Sequence, residues 1–292
     1  MRSMRLPNAT TARQVAAAFL DDPLEVVVDA RERLAERSEM RAKREHGGGF
    51  MPWPPCPYSE DTDWNARLHE ALGWPWPCPE SERFEALWRE VTQPFASRGI
   101  ELGRGAFAGW GDGEPGVVRA VWCVARHLRP TIVVETGVAR GITSRFILEA
   151  IRANGGGRLW SIDRPPLRRT DLHVQIGAAV PDQLRPNWSY IKGSSRRRLP
   201  PLLRQLGAVD FFVHDSRHSE RNLRFELETA RSAVRDAGVL IADDVDLNCA
   251  LHRFVEAHPD DDVLVCPAQP ERPDPGRQND RGVFAVIIKR ES

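Results

Sequence analysis

The chain has 292 residues, enough for one large domain or a main domain with an appendage. Its 41 Lys and Arg balance 41 Asp and Glu, so no net field draws it toward nucleic acid or a membrane surface. Its five cysteines (Cys56, Cys78, Cys123, Cys249 and Cys266) are an odd count without a C-x-x-C pair, which favours buried free thiols in a reducing compartment.

The basic N-terminus holds only a short apolar run, closed by Asp21 and Asp22. That suits neither a signal peptide nor a membrane span, and a cytoplasmic protein is the expectation. Apolar residues at helical spacing run from Thr11 to Arg44, with Pro23 splitting the pattern and Asp21 or Asp22 capping the second helix. Next comes "FMPWPPCPYSEDTDWNARLHEALGWPWPCPES", read as irregular structure around a short helix. Cys56 and Cys78 both sit among its prolines, where a bridge between them stays open. Six of the nine tryptophans lie from Trp53 to Trp110. Indoles in that number need cover, either as a cap on the main domain, the favoured reading, or as an aromatic wall over a substrate pocket. Residues 1–112 are thus a helical, Trp/Pro-rich extension and residues 113–292 the main domain.

From Gly116 the pattern turns regular. Val117–Leu128 reads as a helix, "TIVVE" as a strand, Ile142–Ala153 as a helix and "GRLWSID" as a strand. "WSYIKG" is a strand, "LPPLLRQLG" a short helix, "VDFFVHD" a strand, Glu220–Arg235 a helix and "GVLIADD" a strand. Leu247–Ala257 is a helix, and "DDVLVC" and "RGVFAVIIKR" are the last two strands. Apolar strands alternating with helices predict an α/β fold with a parallel sheet covered on both faces. The last two strands have only the Pro-rich segment from Pro267 to Asp280 between them and are expected to form an antiparallel hairpin. The arginine runs "DRPPLRR" and "SSRRRLPP" read first as solvated faces, the alternative being that they line an anionic pocket beside the sheet edge.

"VVETGVARGITS" places Glu135, Gly137 and Gly141 between the first strand and its helix. Small residues there let a ligand approach the backbone and the helix N-terminus. An acid at the strand end suits an ammonium group, and Asp163, closing the second strand, stands where a carboxylate takes both hydroxyls of a ribose. With "LWSID", "VDFFVHDSRHSERNLRFELETA" and "AGVLIADDV", this segment resembles the class I S-adenosylmethionine-dependent methyltransferases, closest to the metal-dependent small-molecule O-methyltransferases. The resemblance covers Gly116 to Arg290 and implies a Rossmann-like sheet of five parallel strands plus an antiparallel C-terminal hairpin. It also implies Glu135, Gly137, Gly141 and Ser144 around the methionine portion of S-adenosylmethionine, Asp163 at its ribose and Ser194 near its adenine.

Asp215 ends the fourth strand, and Asp243 and Asp244 end the fifth. Three converging carboxylates repel one another unless a cation, arginines or solvent intervene. Oxygen-only ligands select a hard cation, Mg²⁺, and no cysteine or histidine set argues for zinc. Metal-dependent members of the resembled family carry an acid after the fourth strand and an acidic or amide pair after the fifth, a pattern that Asp215, Asp243 and Asp244 match; the competing reading makes these aspartates helix caps. His218, three residues past Asp215, is the candidate base for a substrate hydroxyl, with Asp215 beside it. His214 is expected to hydrogen-bond locally, and Asp246 is either a second base or the N-cap of the next helix. The expected activity is O-methylation of a small-molecule hydroxyl, with neither nucleic acid nor membrane as partner and homo-oligomer contacts open to the extension. The alternative is a non-catalytic S-adenosylmethionine-binding or assembly protein. A serine hydrolase is a weaker reading, because "HDSRH" lacks the G-x-S-x-G elbow that presents a nucleophile.

Overall fold

A computed structural model describes residues 20, 22–45, 56, 58–103, 105–107, 111–165, 169–268 and 282–290. Trp53, Trp110, the pattern before Leu20 and most of the Pro-rich segment before the last strand lie outside them. Among the described residues four helices precede the sheet: α1 (Pro23–Glu45), α2 (Trp64–Ala71), α3 (Ser81–Ala96) and α4 (Pro115–Leu128). The regular part then runs β1 (Ile132–Thr136), α5 (Ile142–Asn154), β2 (Arg158–Asp163), β3 (Trp188–Lys192), α6 (Ser195–Leu206) and β4 (Val209–His214). It ends with α7 (Glu220–Arg231), β5 (Val234–Ala242), α8 (Ala250–Ala257), β6 (Asp262–Pro267) and β7 (Val283–Ile288).

The seven strands lie in the order β3-β2-β1-β4-β5-β7-β6. The first five pair in parallel. β7 runs antiparallel to β6, forming the expected hairpin, and it inserts between β5 and β6 by pairing antiparallel with both. Strand order reverses between β1 and β4, where open α/β sheets bind ligands beyond their carboxyl ends.

Alternate strand residues feed two cores. Val133, Phe211, Val213 and Ile241 face α2, α3, α4 and α5. Val134, Phe212 and Leu240 face α6, α7 and α8. The Trp-rich segment joins the first core: Trp64 packs edge-on against Phe284 and Trp88 against Phe84 and Phe146.

Several boundaries differ from the sequence expectation. α7 stops at Arg231 rather than Arg235, because Val234 is buried and already pairs with Val209 in the sheet. α8 starts at Ala250 rather than Leu247. Asp244 adopts a left-handed φ of 50°, a 3-10 turn spans Val245–Leu247, and Asn248 Oδ1 then accepts from Ala250 N. Asp246 is therefore not the cap of that helix. α1 begins at Pro23 with Asp22 Oδ1 accepting from Glu25 N, as a cap does.

The cysteines also differ. Cys56 forms a disulfide with Cys249, and Cys78, Cys123 and Cys266 are free. Neither a set of free thiols nor a Cys56–Cys78 bridge describes the molecule. The strand edge explains the partner: Asp61 exchanges hydrogen bonds with Val265 of β6, and Tyr58 Oη donates to the Asn248 carbonyl. The chain at residue 56 is thereby laid against the start of α8. Among the described residues no helix is long and apolar enough to cross a membrane.

Candidate active site

A cavity of about 420 Å³ opens at the carboxyl ends of β1, β2, β3 and β4. Its walls include Gly137, Val138 and Ala139 after β1, Asp163 at the end of β2, Gly193 and Ser194 after β3, and Asp215 and His218 after β4. Four sequence candidates from different strands, Gly137, Asp163, Ser194 and Asp215, thus share one cavity with His218. Gly137 has a φ of 88°, and a Cβ there would lie 1.8 Å from the Asp215 carbonyl oxygen. Only glycine lets the β1 and β4 loops meet this closely.

Glu135 and Ser144 sit beneath that loop and do not line the cavity. Glu135 is fully buried; its Oε2 accepts from Ser144 Oγ at 2.6 Å and Ser161 Oγ at 2.7 Å, while Oε1 has no partner. Burial drives its carboxyl up to about 7, against the two hydroxyl hydrogen bonds. Gly141 opens α5 with a φ of 81° and packs against Gly177. Asp163 is raised to about 6, mainly by burial. Ser194 donates its backbone N–H to Glu25 of α1, and its buried Oγ has no partner.

At the β4–β5 side of the mouth, His218 Nε2 lies 4.0 Å from Asp215 Oδ1 and 3.7 Å from Asp244 Oδ2. Burial lowers the His218 pKa, with the Asp244 charge opposing. Burial first, and then the Asp244 charge, push Asp215 and Asp243 well above the usual carboxylate range. Neither aspartate caps a helix: α7 is capped by Ser219, whose side chain accepts from Asn222 N. No arginine pairs with Asp215 or Asp243 among the described residues, and Asp243 Oδ1 is buried without a partner. A set of carboxylate oxygens at the end of a parallel sheet has the donor chemistry of a hard-cation site. Asp215, Asp243 and Asp244 do not each bring one carboxylate oxygen within 4.8 Å of the other two.

His214 has a different role. Fully buried, it shares Nδ1 with Glu226 Oε2 at 2.6 Å, and Glu226 also accepts from Thr136, Ser216 and Asn222. Burial alone would raise Glu226, but His214 and these hydrogen bonds hold it at about 2. The network fixes the end of β4 and so the start of the loop that carries His218.

Residues from outside the sheet complete the cavity. Glu32, Arg33 and Glu36 of α1 form one wall, and Phe107 another. None of the described tryptophans lines it. Arginines of both runs are engaged by α1, although Arg169 stays exposed beside Asp171. Arg164 pairs with Asp29; Arg196 reaches Glu32 at 2.7 Å; Arg197 reaches Asp22 at 2.8 Å and Glu25 at 2.7 Å; Arg217 reaches Glu36 at 2.5 Å. Asp22, Glu25, Asp29, Glu32, Glu36 and Glu39 recur every three or four residues, one stripe of a helix, and that periodicity could have flagged α1 as a docked element. Arg140, in the loop after β1, pairs with buried Asp112 and donates to Gln175 and the Ala106 carbonyl. It ties the segment before α4 to the cavity rim.

Residues 134–245 match the family model described as a methyltransferase domain. This segment is similar to a methyltransferase domain. The matched span runs from β1 to the turn after β5 and holds Gly137, Asp163, Ser194, Asp215, His218, Asp243 and Asp244. Solved structures similar to this chain include the O-methyltransferase from Bacillus cereus in complex with SAH. It shares 15% identity, with 78% of this chain and 98% of that one covered and a TM-score of 0.49. Cofactor-bound Rv0187 from MTB shares 18% identity over 81% and 100% of the two chains, with a TM-score of 0.48. The O-methyltransferase TomG from Streptomyces achromogenes, in complex with SAM, shares 13% over 79% and 97%, with a TM-score of 0.49. No curated protein sequence matches the chain.

Proposed function

We propose that this methyltransferase transfers the methyl group of S-adenosylmethionine to a hydroxyl of a small molecule, with His218 as base and a divalent cation beside it. The observation that carries the reading is the place of His218. It stands at the cavity wall between Asp215 and Asp244, while Gly137, Asp163 and Ser194 line the same cavity.

S-adenosylmethionine supplies an already activated methyl carbon, so the chain has to orient the reactants and remove one proton. Asp163 accepts from the ribose hydroxyls, Ser194 stands at the adenine side, and the Gly137 loop lies along the methionine portion. Glu135 and Ser144 buttress that loop from below, holding the α5 N-terminus toward the cavity. Burial keeps the His218 imidazole neutral and able to take the acceptor's proton. The Asp244 carboxylate then steadies the imidazolium that forms. Asp215, Asp243 and Asp244 would hold a hard cation such as Mg²⁺, which lowers the pKa of an acceptor hydroxyl. A cavity of about 420 Å³ limits the acceptor to a small molecule once the cofactor is seated.

The test is transfer of a labelled methyl group from S-adenosylmethionine to a panel of phenols and hydroxy acids, with Mg²⁺ and with chelator. Product that requires His218, and that chelator suppresses and Mg²⁺ restores, supports the reading. Turnover that survives both chelator and the loss of Asp215 and Asp244 removes the cation from it.

A further inference from the structure

Far from the cavity, the segment before the sheet brings two cysteines and two histidines to one point. His69, Cys78, Cys123 and His127 each offer one ligand atom, and all four atoms lie within 4.8 Å of one another. They come from three pieces of chain: His69 from α2, Cys78 from the loop after it, and Cys123 with His127 from α4. On α4 the two are four residues apart, so they share a face. His69 Nε2 lies 3.0 Å from Cys123 Sγ, and His127 Nε2 lies 3.4 Å from Cys78 Sγ. Both sulfurs are free thiols.

The surroundings are those of a metal site. The other ring nitrogen of His69, Nδ1, is 2.6 Å from the Pro75 carbonyl. That bond fixes Nδ1–H and leaves Nε2 as a lone pair aimed at the sulfurs, the arrangement by which a backbone carbonyl orients a metal-ligating histidine. Trp74 stacks on the His127 ring at 5.1 Å, and Trp76 meets His69 edge-on at 5.2 Å. His69 and Cys123 are buried, and Cys78 and His127 are half-buried. These rings shield the cluster from water.

We propose that His69, Cys78, Cys123 and His127 form a structural zinc site that staples the Trp/Pro-rich segment to α4. Two sulfurs and two imidazole nitrogens are a donor set for tetrahedral Zn²⁺. Both cysteines would bind as thiolates, and two thiolates balance the charge of the ion. All four positions are filled by the protein, so the ion is structural and leaves no position for substrate. The site is independent of the methyl-transfer reading: α4 leads into the amino end of β1 through residues 129–131, whereas the cavity lies at its carboxyl end. The expectation that no cysteine and histidine set favours zinc is therefore corrected. The sequence spreads the ligands over 59 residues as His69, Cys78, Cys123 and His127, without a paired C-x-x-C.

The test begins with elemental analysis of the intact protein purified under reductant, followed by titration of chelator-treated protein with Co²⁺. One zinc per chain and the intense visible bands of tetrahedral, thiolate-ligated cobalt are expected. Cys78→Ser should weaken cobalt binding by more than about a hundredfold, and Cys266→Ala, outside the cluster, should leave it unchanged. The wild-type titration reads the site even if Cys78→Ser does not fold. Folded apoprotein that gives only the weak spectrum of octahedral cobalt overturns the proposal. So does a Cys78–Cys123 disulfide in protein kept under reductant, or equal loss of cobalt binding in Cys266→Ala and Cys78→Ser.

Discussion

Asp244 Oδ2 stands 3.7 Å from His218 Nε2, and the two residues come from different strand ends of the sheet. A base held there must be neutral to act. Burial lowers the His218 pKa below its ordinary 6.5, and Asp244 pulls it partly back. Turnover should be present above that lowered pKa and lost as pH falls through it, so the acid limb of the kcat profile lies below 6.5. Asp244→Asn removes the charge that favours the imidazolium and should move the limb to still lower pH. His218→Asn should cost roughly 10²–10⁴ in kcat while S-adenosylhomocysteine affinity is kept. A His218→Asn enzyme with the wild-type rate and profile would end the base assignment.

The Asp163 carboxyl titrates at about 6 because burial raises it. If it accepts hydrogen bonds from the ribose hydroxyls, only its ionised form does so well. Affinity for S-adenosylhomocysteine should then be full above pH 6 and fall by up to about tenfold per unit below it. Calorimetry across this range checks the slope, and Asp163→Asn should bind weakly with the slope gone. Affinity that stays flat from pH 5 to pH 8, about three units around the titration, would separate Asp163 from the cofactor.

Glu135 carries a stability signature. Its folded pKa of about 7 lies above its ordinary 4.5, because burial penalises the charge and Oε1 has no partner. The folded state therefore holds the proton more tightly than the unfolded state. Glu135 contributes its stability fully below 4.5, and that contribution is lost as pH rises through about 7. The shift corresponds to about 3 kcal/mol. Glu135→Gln keeps an acceptor for Ser144 and Ser161 and should flatten the dependence, leaving the variant relatively more stable at pH 8 than at pH 4. Urea unfolding at both pH values reads this directly.

What could be read from the sequence follows from the range of each interaction. The strand–helix alternation from β1 onward is local patterning, and apolar runs such as "TIVVE" and "VDFFVHD" are buried on both faces as such runs must be. Asp163 and Asp215 were legible because a carboxylate closing a parallel strand has one place to go, the carboxyl edge. The role of α1 was not. Its acidic stripe is periodic, but nothing local says that arginines from two loops and the first turn of α6 lie beneath it. The Cys56–Cys249 pairing and the cluster of His69, Cys78, Cys123 and His127 were hidden for the same reason, since each joins segments that only the folded sheet brings together. Even the position of β7, inserted between β5 and β6, depends on an edge that a strand list does not show.

The Cys56–Cys249 disulfide closes a separation of 193 residues and anchors the segment before α2 beside Asn248, which donates to the His218 carbonyl. Cross-links over long loops stabilise by restricting the unfolded chain, typically by about 2–4 kcal/mol. The double variant Cys56→Ser, Cys249→Ser should lose that amount in urea unfolding and become insensitive to reductant in this respect. Wild-type protein should meet the variant's stability once reduced. Equal stability of oxidised wild type and variant would show that the bridge contributes nothing.

α1 docks by charge rather than by apolar burial. Its acidic stripe faces the protein, while Leu24 and Leu34 stand outward, 62% and 63% exposed. Asp29 is the centre of this contact. It is buried and pairs with Arg33 of its own helix, with Arg164 after β2 and with Arg217 after β4. Burial by itself would raise its carboxyl, but Arg164 and Arg33 win and hold it below the usual range. Its contribution is present above the ordinary 3.8 and lost as pH falls through the lowered value. Breaking a buried pair of this kind costs roughly 3 kcal/mol, because the arginines remain without their counter-charge. Asp29→Asn should therefore release α1 while leaving the sheet intact. Amide exchange would speed up across residues 23–45 and stay slow in β1 and β4. Salt should act in the same direction on the wild type, since the more exposed pairs such as Arg197–Asp22 are screened. Because Glu32, Arg33 and Glu36 wall the cavity, release of α1 should also weaken cofactor retention. Identical exchange in α1 for wild type and Asp29→Asn, at low and at high salt, would mean that something other than these ion pairs holds the helix over the cavity.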